Sequence, residues 1–142
     1  MPLVGGGGSP NVAGSNPSGI GKGLNYVGDF AYAYSGLVAV APTETTILDF
    51  STGGSLFVGT IQFLYASQAD TAPADDCFYK LEINSESVLQ YLDTGYGSNH
   101  SRSPHDPSPI IIAPFSKVTV SAEMGSSNTI NQVCLIVGRV YE

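Results

Sequence analysis

From Phe30 onward, separate stretches of the chain place apolar side chains at every second residue, and that repeat restricts those stretches to strands. A period of two sends alternate side chains to opposite faces of a pleated strand, whereas a helix needs apolar residues three and four apart. Phe30, Tyr32 and Tyr34 share one face, with Ala31 and Ala33 on the other. Thr43 to Phe50 is β-branched and runs into the turn Ser51-Thr52-Gly53-Gly54, after which Phe57, Gly59, Ile61, Phe63 and Tyr65 fall on one side. Cys77, Tyr79, Leu81 and Ile83 alternate with Phe78, Lys80, Glu82 and Asn84, the pattern of a strand with one dry and one wetter face. Asn84-Ser85-Glu86-Ser87 carries hairpin-turn chemistry. Asn131 to Tyr141 is almost continuously apolar, which predicts a strand buried on both faces in the middle of a sheet.

Read this way, the chain holds eight strands, at residues 30–40, 43–51, 55–66, 77–84, 87–93, 109–114, 116–124 and 131–141, and no helix after residue 28. The expected fold is all-β: an antiparallel β-sandwich, with an eight-stranded jelly roll as the leading topology. A length of 142 residues suits one such domain.

Residues 1–28 differ from the rest, holding nine of the 17 glycines and three of the nine prolines with little apolar periodicity. A segment like this cannot order itself by burying its own core. The expected division is an N-terminal arm, residues 1–28, and a sandwich, residues 29–142. The arm is either a flexible tail or a segment that orders against a neighbouring subunit, with Leu3, Val4, Val12, Ile20, Leu24, Tyr26 and Val27 as its apolar anchors.

Five Lys and Arg stand against 12 Asp and Glu, a formal charge of −7, and no two basic residues are adjacent. A nucleic-acid ligand requires a basic stripe to neutralise phosphates, so DNA and RNA are set aside as partners. No apolar run reaches the length of a bilayer span, and MPLVGGGGSP lacks the basic flank and apolar stretch of a secretory signal, so neither membrane insertion nor export is expected. Cys77 and Cys134 lie in apolar runs and read as small buried hydrophobes, with a bridge between them the less favoured alternative.

The titratable groups assemble into no catalytic pattern. His100, His105 and Asp106 lie in a proline-broken stretch whose spacing matches no fixed zinc motif. Asp70, Asp75 and Asp76 lie in a polar connection without apolar surroundings to separate their pKa values, and Asp49 and Glu82 read as outward-facing strand residues. Neither a GxSxG elbow nor a phosphate-cradling loop is present, so no enzyme activity, cofactor or metal is expected. The loop from Asp93 to Pro109 is long for a compact domain, and Tyr96 and Arg102 within it are candidate partner contacts. Tyr32, Tyr34, Phe57, Phe63, Tyr65, Tyr79 and Tyr91 occupy period-two positions and read as core and sheet-face residues rather than a sugar platform.

The stretches Thr43 to Phe50, Gly59 to Phe63, Ile110 to Phe115 and Gly138 to Tyr141, joined to a Gly/Pro-rich leader, resemble small structural proteins of viruses, especially capsid decoration or cement proteins of tailed bacteriophages. The resemblance spans roughly residues 30–142 and rests on texture. It implies a jelly-roll protein on the outside of an icosahedral head, present in the host cytoplasm during assembly. Such a protein, often a homotrimer, bridges neighbouring major capsid proteins. A capsid vertex or minor capsid protein is the nearest alternative, and a receptor- or carbohydrate-binding module of a virion fibre is a further one.

Overall fold

The computed structural model describes residues 24–65, 76–93, 106–125 and 129–141, and these build two antiparallel sheets that face each other as a β-sandwich. The strands are β1 (Asn25–Val27), β2 (Phe30–Tyr34), β3 (Val38–Val40), β4 (Thr45–Ser51), β5 (Leu56–Tyr65), β6 (Cys77–Ile83), β7 (Glu86–Asp93), β8 (Ser108–Ile112), β9 (Lys117–Met124) and β10 (Ile130–Tyr141). The first sheet runs β1-β2-β10-β5-β8, with β3 also paired to β10, and the second runs β4-β9-β6-β7. Apart from the β6–β7 hairpin, every connection from β3 onward crosses from one sheet to the other.

The structure bears out the all-β sandwich and differs from the sequence reading in strand count. The expected strand at residues 30–40 is two strands on the same neighbour, since Tyr34 pairs with Leu135 and Val38 with Gln132. Three residues therefore face two across the gap, a bulge that Gly36 permits with a φ of 68°. Ser35 takes over the ladder there: its amide donates to the Cys134 carbonyl at 3.0 Å and its hydroxyl accepts from the Cys134 amide at 2.8 Å. The second difference is β1, which lies within the residues assigned to the arm yet pairs with β2 from Asn25↔Tyr32 to Val27↔Phe30.

The β6–β7 turn is tighter than expected. Asn84 and Ser85 alone form it, with φ of 53° and 70°, the double left-handed geometry that matches the twist of a two-residue hairpin. On β10 the expected burial of both faces holds only near its start. Gln132, Val133 and Cys134 are all buried, but beyond Ile136 the outward side chains are exposed. Pro109 is accommodated because β8 is an edge strand, where no ladder donor is needed on its outer side.

Between the sheets Phe57, Ile61, Phe63, Ile112 and Ile136 meet Ile47, Leu48, Tyr79, Leu81, Val118 and Val120, all nearly or fully buried. Phe63 stacks on Tyr79 with centroids 4.5 Å apart, and Tyr91 extends the stack 6.1 Å from each. The Tyr79 hydroxyl donates to the buried Gln132 Oε1, whose amide Nε2 lies 3.7 Å from Met124 Sδ. A buried amide left without such partners would cost about 1–3 kcal/mol, so this contact ties β6 of one sheet to β10 of the other. Gly59 and Gly138 face each other across β5 and β10 in the same inward row, and the Phe57 ring lies over the pair.

Candidate functional site

At one end of the sandwich the β4–β5 turn and the β8–β9 turn are tied into a single unit. The Thr52 amide donates to the Ser116 carbonyl at 2.9 Å, and the Phe115 amide donates to the Gly53 carbonyl at 2.8 Å. The Thr52 hydroxyl, on a residue only 6% exposed, donates to the Ala113 carbonyl at 2.9 Å and accepts from the Ser116 amide at 2.8 Å. Asn84 joins from the β6–β7 turn, its amide donating to the Lys117 carbonyl at 2.8 Å and its Oδ1 accepting from the Lys117 amide at 2.9 Å.

This over-determined corner holds Phe115 at a φ of 57°, a left-handed conformation that is costly for a bulky side chain, while leaving it 81% exposed. A large aromatic that is both strained and solvated contributes little to its own fold. Backbone strain of this kind persists where the surroundings enforce it, and such positions concentrate at binding sites.

The second surface is the outer face of the six-stranded sheet. Directly opposed residues in antiparallel strands share a face, so the register lays out rows. One row crosses Val27, Phe30, Arg139, Val58 and Ile111, and the next crosses Asn25, Tyr32, Val137, Thr60 and Pro109. Leu56 and Tyr141 lie beyond the first row, and Tyr34 and Leu135 beyond the second. Phe30, Tyr32, Tyr34, Ile111, Val137 and Tyr141 are all exposed.

Arg139 is the one charged residue in the strands of this sheet. Its guanidinium lies 5.7 Å from the centroids of both the Phe30 and Tyr141 rings and 3.5 Å from Asp29 Oδ2. The strands of the other sheet carry Asp49, Lys80, Glu82, Glu86, Asp93, Lys117 and Glu123. There Lys80 bridges Glu44 at 2.9 Å and Glu82 at 3.3 Å, and Lys117 pairs with Asp49. The hydrogen bond from Lys80 holds the Glu44 carboxyl below its ordinary range, and the same bond raises the Lys80 ammonium. Charge is thus segregated: one outer face is ionic and the other is apolar.

The residues picked out from the sequence as partner contacts fall into three groups. Leu3, Val4, Val12, Ile20, Tyr96 and Arg102 lie outside the described residues, as do His100, His105, Asp70 and Asp75. Leu24 is 3% exposed and belongs to the chain's own core, so it is not free to anchor a partner. Tyr26 is 36% exposed, and partial burial pushes its phenol up, opposed by a hydrogen bond with the Gly53 backbone. Val27, at 66% exposure, and Tyr26 are the described members of that set that reach solvent.

Sequence reasoning missed Phe115, since an exposed aromatic in a Pro-Phe-Ser turn looks like any apolar residue until its φ is known. It also left open which face of β2 is outward. Phe57, Phe63 and Tyr79 point into the core as expected, whereas Tyr32 and Tyr34 point out.

Asp49 is exposed and ion-paired, and Glu82 is held by Lys80, as the strand reading anticipated. Among the described residues no three His, Cys, Asp or Glu side chains gather in metal-binding geometry. Cys77 and Cys134 are buried free thiols, and burial pushes the Cys134 thiol strongly upward. An open groove of about 290 Å³ lies between Phe78, Leu92, Glu123 and Met124 near Asp76, with two carboxylates but no convergent donor. No protein-family model matches the chain, and neither a curated protein nor a solved structure matches it.

Proposed function

We propose that the protein is a virion structural protein that decorates the capsid exterior and cements it by bridging neighbouring major capsid proteins, acting as a self-associated, non-enzymatic clamp. The observation that carries this reading is Phe115, a strained aromatic displayed at 81% exposure on a turn unit locked by Thr52. Exposed aromatics seated on rigid supports are the residues that dominate binding energy at protein interfaces, because they lose little conformational freedom on docking.

Two further features support it. Taking β2 and β3 as one bulged strand, the sheets become β2/β3-β10-β5-β8 and β4-β9-β6-β7, with hairpins that straddle both layers. We infer that this wiring is a jelly roll, an architecture used repeatedly by viral capsid and lectin domains. β1 also lies beside this unit, its Tyr26 hydrogen-bonded with the backbone of Gly53, whose carbonyl accepts from the Phe115 amide. A clamp that binds the assembled lattice and not free subunits adds its binding free energy to the assembled state.

The test is Phe115→Asn. Asn tolerates the left-handed region, so the variant folds with equal or greater stability, gaining about 0.5–1 kcal/mol as strain is relieved. Its attachment to capsids, read by co-sedimentation, falls by about 30-fold or more, the loss of an interface hot spot. Unchanged attachment by a folded Phe115→Asn protein overturns the reading.

A further inference from the structure

We propose that the outer face of the six-stranded sheet is the surface through which a second copy of this chain docks. The inference rests on the self-association contained in the reading above, and not on its capsid partner.

Area is the first argument. Weighted by their exposures, the nine outward apolar side chains of this face offer roughly 800 Å² of accessible surface, beyond the ~300–600 Å² of the largest patch on a typical monomer and equal to the ~800 Å² each partner contributes to a standard stable interface. Left in water, a face of that size is an aggregation hazard; covered, it is an interface of ordinary dimensions. The rows of β-branched and aromatic side chains also suit a sheet-on-sheet contact, in which two faces interdigitate about 10 Å apart.

Charge decides who covers it. The chain carries a formal charge of −7, so most ways of bringing two copies together oppose carboxylates. On the four-stranded sheet that repulsion is built in, with Glu44, Asp49, Glu82 and Glu123 facing outward against Lys80 and Lys117. The six-stranded sheet offers instead a single Arg139 whose charge is already met by Asp29. Two copies can therefore meet there without burying an unpaired charge, the condition under which apolar contact is net favourable. The Arg139 guanidinium, already beside Phe30 and Tyr141, gains the tyrosine faces of the second copy as further partners.

Sedimentation velocity of the full-length chain at micromolar concentration, without capsids, tests this. The wild type is expected to sediment as an oligomer. Val137→Glu, placed in the middle of the face and pointing outward, weakens association by about 30-fold or more with an unchanged circular dichroism spectrum. Ile111→Lys, on the edge strand and 67% exposed, replaces it if Val137→Glu does not fold. Phe78→Glu, on the opposite sheet, leaves the oligomer intact.

An oligomer that survives both face variants overturns the proposed surface while leaving self-association standing. A monomeric wild type overturns both. A wild-type monomer that associates once residues 1–23 are deleted assigns the face to the chain's own leader, and the proposal falls in that case as well.

Discussion

Adding one methyl group at Gly138 tests whether β5 and β10 approach each other as closely as the structure places them. A Cβ there would lie 2.4 Å from the Val58 carbonyl oxygen, 2.5 Å from Gly59 Cα and 2.7 Å from Phe57 Cζ. Two of the three obstacles are backbone of the central strand pair, which cannot swing aside as a flexible side chain does. Gly59 is in the same position, with the Val137 carbonyl oxygen 2.3 Å and Gly138 Cα 2.7 Å from its would-be Cβ.

Overpacking of this kind costs about 1–3 kcal/mol, and a site that must separate two strands belongs at the upper end. Restricting the unfolded chain returns about 0.4–1 kcal/mol, leaving Gly138→Ala destabilised by roughly 2 kcal/mol. For a chain of this length that lowers the thermal midpoint by about 6–8 °C. Differential scanning calorimetry provides the assay. Gly53→Ala is the control, since nothing lies within 4 Å of its would-be Cβ, and its midpoint should hold or rise. Phe57→Leu in the Gly138→Ala background should recover little, because the backbone contacts remain. A Gly138→Ala midpoint equal to the wild type would refute the close approach of β5 and β10.

Two other outcomes follow from the same packing. Thr52→Val removes the hydroxyl that serves both Ala113 and Ser116, leaving the buried Ser116 amide without that partner; chemical denaturation should show a loss of about 1–3 kcal/mol, and hydrogen exchange at the Ser116 amide should accelerate. The second outcome concerns pH. Burial raises the Cys134 thiol above its unfolded value, so below that value both states hold the proton and stability is flat. As pH rises past about 9 the unfolded chain alone releases it, and stability declines by up to about 1.4 kcal/mol per pH unit. Thermal melts from neutral to alkaline pH should show that decline, reduced in Cys134→Ala, and a slope identical in both proteins would contradict the assignment.

The fold class was legible because alternation over Phe30 to Tyr34, Cys77 to Ile83 and Lys117 to Met124 reports directly on strand geometry. The bulge at Ser35-Gly36 was not, since it depends on a hydroxyl replacing a ladder bond with Cys134, 99 residues away. Alternation also cannot say which of two apolar faces is the dry one. On β2 the small side chains Ala31 and Ala33 pack inward and the aromatics Phe30, Tyr32 and Tyr34 are left outside, the reverse of what side-chain size suggests.

Phe115 was hidden for a related reason. Its distinguishing feature is a backbone angle imposed by Thr52 and Gly53, which approach it only in the folded chain. Leu24 shows the opposite limit: it sits in glycine-rich surroundings that read as arm, and tertiary pairing through β1 draws it into the core.

The role proposed for the chain is reached most directly by counting it in place. Quantitative mass spectrometry of purified particles that carry the protein, normalised to the major capsid protein, gives copies per capsid. Decoration of the shell predicts hundreds of copies in fixed ratio to the capsid protein, removed together with head stability when Phe115 is replaced. About a dozen copies or fewer, or none in the particle, would contradict it.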